Sequence, residues 1–450
     1  MTQPKVAIDV RKKLGMSGGV SSFIADLLCS LGRLRDGSEA YTVIVDSQAQ
    51  LEVLKPLIGP NQRLVIKTEP ANRGGHLRAG EIRFAVVLKR ALGPLLPAAR
   101  YLQRLLSVPG VWPQVPISDG FYESLGCDVL HITTQDFVLC ALPTIYNPHD
   151  LQHLHYPQFF TPDDIAWRET VYPAGCRLAN TVVVGSQWIK DDVIRQYRID
   201  PDKVQVIPEA PSTQRAAAPK PEFVASVQEK YRLPRPFAMY PAVTWPHKNH
   251  IRLLEALAYL RDSRGLVVNL VCAGSRQEFW PEIEKRIDQL NLGAQVKSLG
   301  FIPEEDLRAV YRLSQFLVMP SLFEAISLPV FDAWAEGVPV VCSSATALPD
   351  QVRDAAVLFD PHSVESIGEA IGRVSTSVEL QQKLRERGAK RVMDFSWERT
   401  AKAYRAVYRR AAHWPLTDED RWLLSWDWIR APERGIGDRL PREERTGVRC

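Results

Sequence analysis

Apolar and polar positions follow two rhythms along this chain. Short runs rich in β-branched residues recur at Val6–Asp9, Tyr41–Asp46, Arg63–Lys67, Asp128–Ile132, Thr144–Tyr146, Thr181–Gly185 and Val204–Ile207. Several are apolar nearly throughout, as strands buried on both faces are. Between most of them lie segments of helical period, such as Val20–Leu31 and Pro162–Leu178. Strand and helix in alternation predict parallel sheets joined by crossover helices. A second series then begins, at Ala238–Ala242, Val267–Gly274, Val296–Gly300, Phe316–Met319, Val338–Cys342 and Ala355–Asp360. The stretch Pro208–Pro221 between the series has a linker's composition. Ser396 is placed to cap a helix running to about Ala412, although Arg399 stands where a capping box would carry Glu.

The predicted organisation is therefore two α/β domains, residues 1–210 and 211–394, then a helix over 395–413 and a Trp-containing tail over 414–450. The tail carries Trp414, Trp422, Trp426 and Trp428, and from Ala431 its Gly, Pro and Arg content predicts disorder. The Trp422/Trp426 pair, four apart, fits packing better than a membrane anchor.

Composition narrows this picture without redirecting it. A chain of 450 residues suits two domains. A net charge of +4 is small for that length and demands no nucleic-acid partner. The seven cysteines are scattered, with no C-x-x-C pair, and several sit in apolar runs. Buried, reduced thiols in a reducing compartment are expected. No signal-peptide pattern precedes the first strand. The longest apolar candidate, Phe84–Ala99, is broken by Lys89, Arg90, Gly93, Pro94 and Pro97. These features predict a cytoplasmic protein. One segment qualifies that expectation. Leu77–Leu106 is helix-like and carries Arg78, Arg83, Lys89, Arg90, Arg100 and Arg104 against Glu81. Such a face suits either an anionic membrane surface or plain solvent.

The chemistry gathers in the second domain. In Pro320–Cys342 a strand ends, a loop carries Glu324, and a helix starts near Ser327 with Pro329 in its first turn. Ser suits the cap position and Pro the first turn. The helix stops at Gly337 and a buried strand follows. A carboxylate and free N–H groups thus face the crevice above the strand ends, where open α/β sheets hold ligands. Helix N-termini suit phosphate. A carboxylate repels a diphosphate, so Glu324 fits neutral sugar hydroxyls instead.

This stretch resembles the signature P-S-x-x-E-G-F-G-L-P-x-x-E-A-x-A-x-G-x-P-V-V of the retaining GT-B glycosyltransferases of family 4. The matching residues are Pro320, Ser321, Glu324, Leu328, Pro329, Ala333, Ala335, Gly337, Pro339, Val340 and Val341. The family's E-G-F-G is Glu324-Ala-Ile-Ser here, and its second Glu is Asp332. The resemblance implies two Rossmann-like domains facing across a cleft, with the C-terminal helix crossing back to the first. It puts the donor sugar on Glu324, the ribose on Asp332, and donor contacts at Ser327 and Leu328. It also implies a sugar-nucleotide substrate, no cofactor and no obligatory metal. No Asp-x-Asp metal motif stands convincingly at a strand end.

Further segments extend the resemblance over about residues 4–412. Between the first strand and helix of the second domain lies Tyr240–His250. A cation there would neutralise a departing diphosphate. The family places Arg and Lys five apart; Lys248 matches, but the Arg position is Val243. Thr244 and His247 are the candidates to compensate. Asn147–Phe160 resembles the H-D-L-Q-H-x-x-Y-P-x-F-F segment of a bacterial, mannosyltransferase-like subgroup. That resemblance makes His149 the histidine facing the reacting sugar and Asp150 the residue orienting it. His153 and His155 complete a trio that looks metal-binding, but no helix is expected to align them. Gly18 and Gly19, ahead of the first helix, resemble the family's first-domain G-G loop at the donor phosphates or acceptor. The backbone near Phe301 and Ile302 corresponds to the family's base-reading loop.

The expected reaction is transfer of a hexose, such as mannose from GDP-mannose, to a glycan or lipid-linked hydroxyl. The rivals are a sugar-nucleotide epimerase, whose acid and base carboxylates find no obvious place here, and a degenerate GT-B protein that binds without turnover.

Overall fold

The computed structural model describes residues 3–11, 18–67, 115–212 and 218–427. The basic segment Leu77–Leu106, Trp428 and the tail from Ala431 lie outside the described residues.

Two all-parallel sheets form the molecule. The first contains β1 (Lys5–Asp9), β2 (Ala40–Val45), β3 (Gln62–Ile66), β4 (Val129–Ile132), β5 (Thr144–Tyr146), β6 (Thr181–Val184) and β7 (Val204–Val206). Its order is β3-β2-β1-β4-β5-β6-β7. The second contains β8 (Phe237–Pro241), β9 (Asn269–Ala273), β10 (Val296–Ser298), β11 (Phe316–Met319), β12 (Val340–Ser343) and β13 (Ala356–Phe359). Its order is β10-β9-β8-β11-β12-β13. Central strands such as β4, β6, β11 and β12 are buried at every position, as their unbroken apolar runs predicted. Strand order reverses direction between β1 and β4 and again between β8 and β11. Such a reversal leaves a crevice at the carboxyl ends of the strands.

The helices that matter below are α1 (Gly19–Arg33), α2 (Gln152–His155), α3 (Pro162–Leu178), α4 (His250–Arg264), α5 (Leu328–Ala335), α6 (Leu348–Val352), α7 (Val378–Val392), α8 (Trp397–Ala411) and α9 (Asp418–Ser425). Helix α3 starts as its sequence suggests. Thr161 and Asp164 form a reciprocal capping box and Pro162 takes the first position. Helix α8 starts after Ser396, but the Ser396 side chain makes no capping bond.

Helix α8 belongs by sequence to the end of the second domain and packs on the first. Tyr404 and Tyr408 are buried against Phe23, Tyr41 and His131. Arg405 reaches Asp36 at 2.6 Å and Arg409 reaches Glu39 at 2.6 Å. The Arg405 hydrogen bond holds the Asp36 carboxyl down at about 2. Trp422 and Trp426 stack at 4.9 Å, and Trp426 is buried with Arg399 over its ring. The pair packs within the protein, as its spacing suggested. No helix among the described residues is long and apolar enough to cross a membrane.

Candidate functional site

The second crevice is built by two loops that hold each other. One follows β8 and the other follows β11. The Leu322 N–H donates to the His247 carbonyl at 2.8 Å. Asn249 adopts a left-handed backbone, φ 60°, and its side-chain amide donates to the carbonyls of Pro320 and Pro361 at 2.9 and 2.8 Å. The buried Tyr240 hydroxyl donates to the Lys248 carbonyl at 2.5 Å. Loops cannot use a sheet ladder, so buried main-chain groups need such partners.

The side chains that these loops present are the two that the sequence singled out. Lys248 Nζ lies 2.6 Å from Glu324 Oε1, with the pair 20% and 8% exposed. Ammonium carries three N–H donors. Contact with Glu324 uses one, so the cation can serve a second anion beside the carboxylate. The carboxylate likewise keeps acceptor sites for hydroxyls.

Neither candidate compensates for the arginine absent at Val243. Thr244 is buried, uncharged, and accepts the Gln277 N–H at 2.7 Å. Burial, then the neighbouring charges of Lys248 and His250, holds His247 well below the usual imidazole range. It is neutral at pH 7 and supplies no cation.

Ser327 precedes α5, but its hydroxyl caps nothing. The hydroxyl is buried without a hydrogen-bond partner among the described residues. The Ser327 N–H is already taken: it donates to Gln351 Oε1 at 2.8 Å. Leu328 follows, buried. Asp332 faces the connection between the domains, and its carboxylate accepts from the Ser212 N–H at 2.9 Å and from the Ser212 hydroxyl at 3.1 Å. At the far side of the crevice, Phe301 is 71% exposed and Ile302 is buried. The Gly274 N–H ties that loop in through the Gly300 carbonyl.

The segment carrying His149 meets the Glu324 loop across the domain boundary. The Tyr156 hydroxyl donates to the Leu322 carbonyl at 3.1 Å. Phe323 is buried among first-domain rings, 5.5 Å from both His155 and Trp188. Gly185 makes room for Ile326, since a Cβ there would stand 3.3 Å from Ile326 Cγ2. Sequence reasoning named neither Tyr156 nor Phe323 as a link. The signal was available in the Y-P-x-F-F part of the quoted segment, whose aromatic residues needed a partner.

His149 itself takes a left-handed backbone, φ 62°. Its Nε2 donates to the Thr133 carbonyl at 2.8 Å, which fixes the proton on that nitrogen. Its ring lies edge-on to Phe23 at 5.4 Å. The Asp150 carboxylate instead accepts the Gln152 N–H at the start of α2. Thr133 and Phe23 therefore orient His149, in place of Asp150.

His153 and His155 do lie on a helix, the single turn α2, contrary to the sequence expectation. They still do not converge. His153 Nε2 meets Glu169 at 3.2 Å and His155 Nε2 meets Asp192 at 2.7 Å. No cluster of three or more His, Cys, Asp or Glu among the described residues could hold a metal ion. Gly18 and Gly19 are exposed at the start of α1. Gly18 is fully extended, so its backbone does not require glycine. A Cβ at Gly19 would meet nothing within 4 Å.

Comparison with known proteins gives the family. Residues 226–391 match the family described as Glycosyl transferases group 1, and residues 70–215 match Glycosyltransferase Family 4. The chain is 27% identical over 268 residues to O-antigen chain mannosyltransferase B of Escherichia coli, covering 58% of this chain and 69% of that one. It is 30% identical over 224 residues to MMP alpha-(1->4)-mannosyltransferase of Mycolicibacterium hassiacum, covering 49% of this chain. That match spans about half of the relative's length, 51%. In fold it resembles a glycosyltransferase from Rickettsia africae, with a TM-score of 0.62 at 14% identity over 91% of this chain and 99% of that one. Two Rossmann-like parallel sheets, their paired crevices and both family matches lead to one assignment: this chain belongs to the GT-B glycosyltransferases of family 4.

Proposed function

We propose that this enzyme transfers a mannosyl residue from GDP-mannose to a hydroxyl of a glycan or lipid-linked acceptor, with retention of anomeric configuration and without a required metal. The observation that carries the reading is the Lys248–Glu324 pair at the second strand-order reversal. A cation and a carboxylate in contact fit a diphosphate that leaves from a neutral sugar. Lys248 stabilises the developing negative charge, and a donor of that kind contributes about 3–4 kcal/mol to the barrier in comparable sites. Glu324 receives sugar hydroxyls. His149, with its proton fixed on Nε2 by Thr133, orients the sugar from the first domain. The departing phosphate oxygen takes the acceptor proton. Asp332 serves a ribose hydroxyl while keeping its bonds to Ser212, since an ionised carboxylate has about four acceptor sites. The phosphates meet the start of α5 near Ser327 and Leu328, and the Gly18–Gly19 turn from the facing domain. The loop at Phe301 and Ile302, exposed at Phe301, faces the base.

Mannose as the sugar is supported by the similarity to two mannosyltransferases. The test is a donor screen. GDP-mannose, UDP-glucose and UDP-galactose are each incubated with the protein, and free nucleotide is followed in time. GDP release from GDP-mannose alone, with an α-linked product, supports the reading. Release only from a uridine donor replaces mannose. A degenerate, binding-only protein is the second reading, favoured by Val243 in place of the family's Arg. It is upheld if every donor binds and none is turned over.

A further inference from the structure

The turn that presents Glu324 has lost both of its family's glycines, and the structure shows what holds it in their absence. Residues 320–327 lie between β11 and α5 and belong to neither. The segment after β12 supplies two clamps for them.

The first is Thr346. Its hydroxyl donates to the Glu324 carbonyl at 2.7 Å and accepts the Glu324 N–H at 2.9 Å. One side chain thus satisfies both main-chain groups of the sugar-facing residue, as a neighbouring strand would. The second is Gln351, which is buried. Its Oε1 accepts the Ser327 N–H and its Nε2 donates to the Ser327 carbonyl, both at 2.8 Å. Glu324 and Ser327, the two ends of the turn, are therefore each gripped reciprocally.

The backbone at Thr346 strengthens the point. Its φ is 50°, the left-handed region that β-branched residues avoid. Glycine would take this conformation without strain but offers no hydroxyl. Strain of this kind persists where the surroundings over-determine it, and it concentrates at functional sites. The clamp also has a firm back. Ser343 Oγ accepts the Ala345 N–H at 2.9 Å. Arg391, on α7, donates through Nε to the Gln351 carbonyl at 3.0 Å and through Nη2 to the Asp350 carbonyl at 3.2 Å.

We infer that Thr346 and Gln351 are positioning residues of the donor site, Thr346 aiming the Glu324 carboxylate at the sugar and Gln351 fixing the phosphate-facing start of α5. This inference rests on the donor reading above. Displacing a catalytic group by about 1 Å costs on the order of 100-fold in rate. The two clamps act on different parts of the donor, so their loss has different signatures.

The experiment compares Thr346→Val, Thr346→Ser, Gln351→Met and Glu324→Gln. The probes are GDP-mannose and GDP, or UDP-glucose and UDP if those are what the wild type uses. Thr346→Val keeps the shape and removes both bonds. Its kcat is expected to fall roughly 10- to 100-fold, with the affinity for the free diphosphate unchanged. Thr346→Ser restores the hydroxyl and is expected to return kcat to near the wild-type value. Gln351→Met is expected to weaken the free diphosphate and the sugar nucleotide alike. Wild-type kcat in Thr346→Val overturns the inference. So does a parallel loss of kcat, diphosphate affinity and melting temperature in that variant, because it shows a role in folding alone. Glu324→Gln separates the two levels. If it is as active as wild type, the donor reading itself falls. If it is inactive while Thr346→Val is fully active, only the clamp falls.

Discussion

The two sheets share one topology, and each places a charged pair at its strand-order reversal, but the pairs do different work. At the first reversal, Asp9 ends β1. Its carboxylate is held by Arg11 two residues on, at 2.9 Å, and by the Tyr122 hydroxyl at 2.6 Å. At the second, Lys248 and Glu324 come from separate loops, 76 residues apart, and meet at 2.6 Å. The first pair joins near neighbours in sequence, and Tyr122 completes the hold on a buried carboxylate. The second joins two loops and leaves donors and acceptors facing a crevice. The same fold thus places an ion pair at each reversal, one between near neighbours in sequence and one between two loops.

Breaking the second pair should produce the largest effect. Lys248→Met is expected to lower kcat at least ~100-fold, the scale of removing one transition-state donor, measured by nucleotide release. Asp9→Asn at the first reversal is the counterpart. It is expected to lower the melting temperature while leaving donor affinity, measured by calorimetry, at the wild-type value. Should Asp9→Asn abolish donor binding and Lys248→Met leave it intact, the assignment of the two crevices is reversed.

A smaller effect is expected at the boundary between the halves. Tyr156→Phe removes the hydroxyl that donates to Leu322. The net value of such a bond is about 1 kcal/mol, so a several-fold fall in kcat is expected. Full activity in that variant would leave the contact a matter of packing only.

The docking of α8 on the first sheet offers a pH-dependent test. His131 is fully buried between the Tyr408 hydroxyl at 2.8 Å and Asn147 Oδ1 at 2.7 Å. Burial, partly offset by the Asn147 hydrogen bond, lowers its pKa from 6.5 to about 4. The unfolded chain takes up this proton near 6.5 and the folded one near 4. Stability from this group is therefore complete above 6.5 and is lost as pH falls toward 4, by up to about 3 kcal/mol. Denaturant unfolding between pH 7 and 4 should show that slope, and His131→Gln should flatten it. Below it, the Asp36–Arg405 pair adds a second loss as pH falls from 3.8 toward 2, where the Asp36 carboxyl titrates. The least effect is expected from Asp332→Glu, which restores the family's residue. A change of KM within about threefold, without change in kcat, fits a single peripheral hydrogen bond.

These comparisons also show what the residues alone could reveal. Strand positions were legible because parallel strands buried on both faces are apolar nearly throughout. Thr144–Tyr146 and Phe316–Met319 were placed to the residue. Lys248 and Glu324 were legible because their chemistry sits in motifs contiguous in sequence. Residues that act on those motifs from elsewhere were not. Thr346, Gln351 and Tyr156 matter through partners 22, 24 and 166 residues away, and no local pattern announces such pairings. Ser327 was expected to cap α5, but its hydroxyl does not, and Gln351 from elsewhere in the chain holds its backbone. The family resemblance implies that Asp150 orients His149, whereas the left-handed turn at His149 sends its ring to Thr133.

The most direct test of the central claim measures what Glu324 recognises. Calorimetric titration of wild type and Glu324→Gln with GDP and with GDP-mannose, run beside GDP release, separates nucleotide binding from sugar binding. The expected result is equal GDP affinity in both proteins, a loss in Glu324→Gln of the extra affinity that mannose confers, and release slowed at least ~100-fold. Unchanged GDP release by Glu324→Gln would contradict the claim that the crevice between β8 and β11 is where the sugar is transferred.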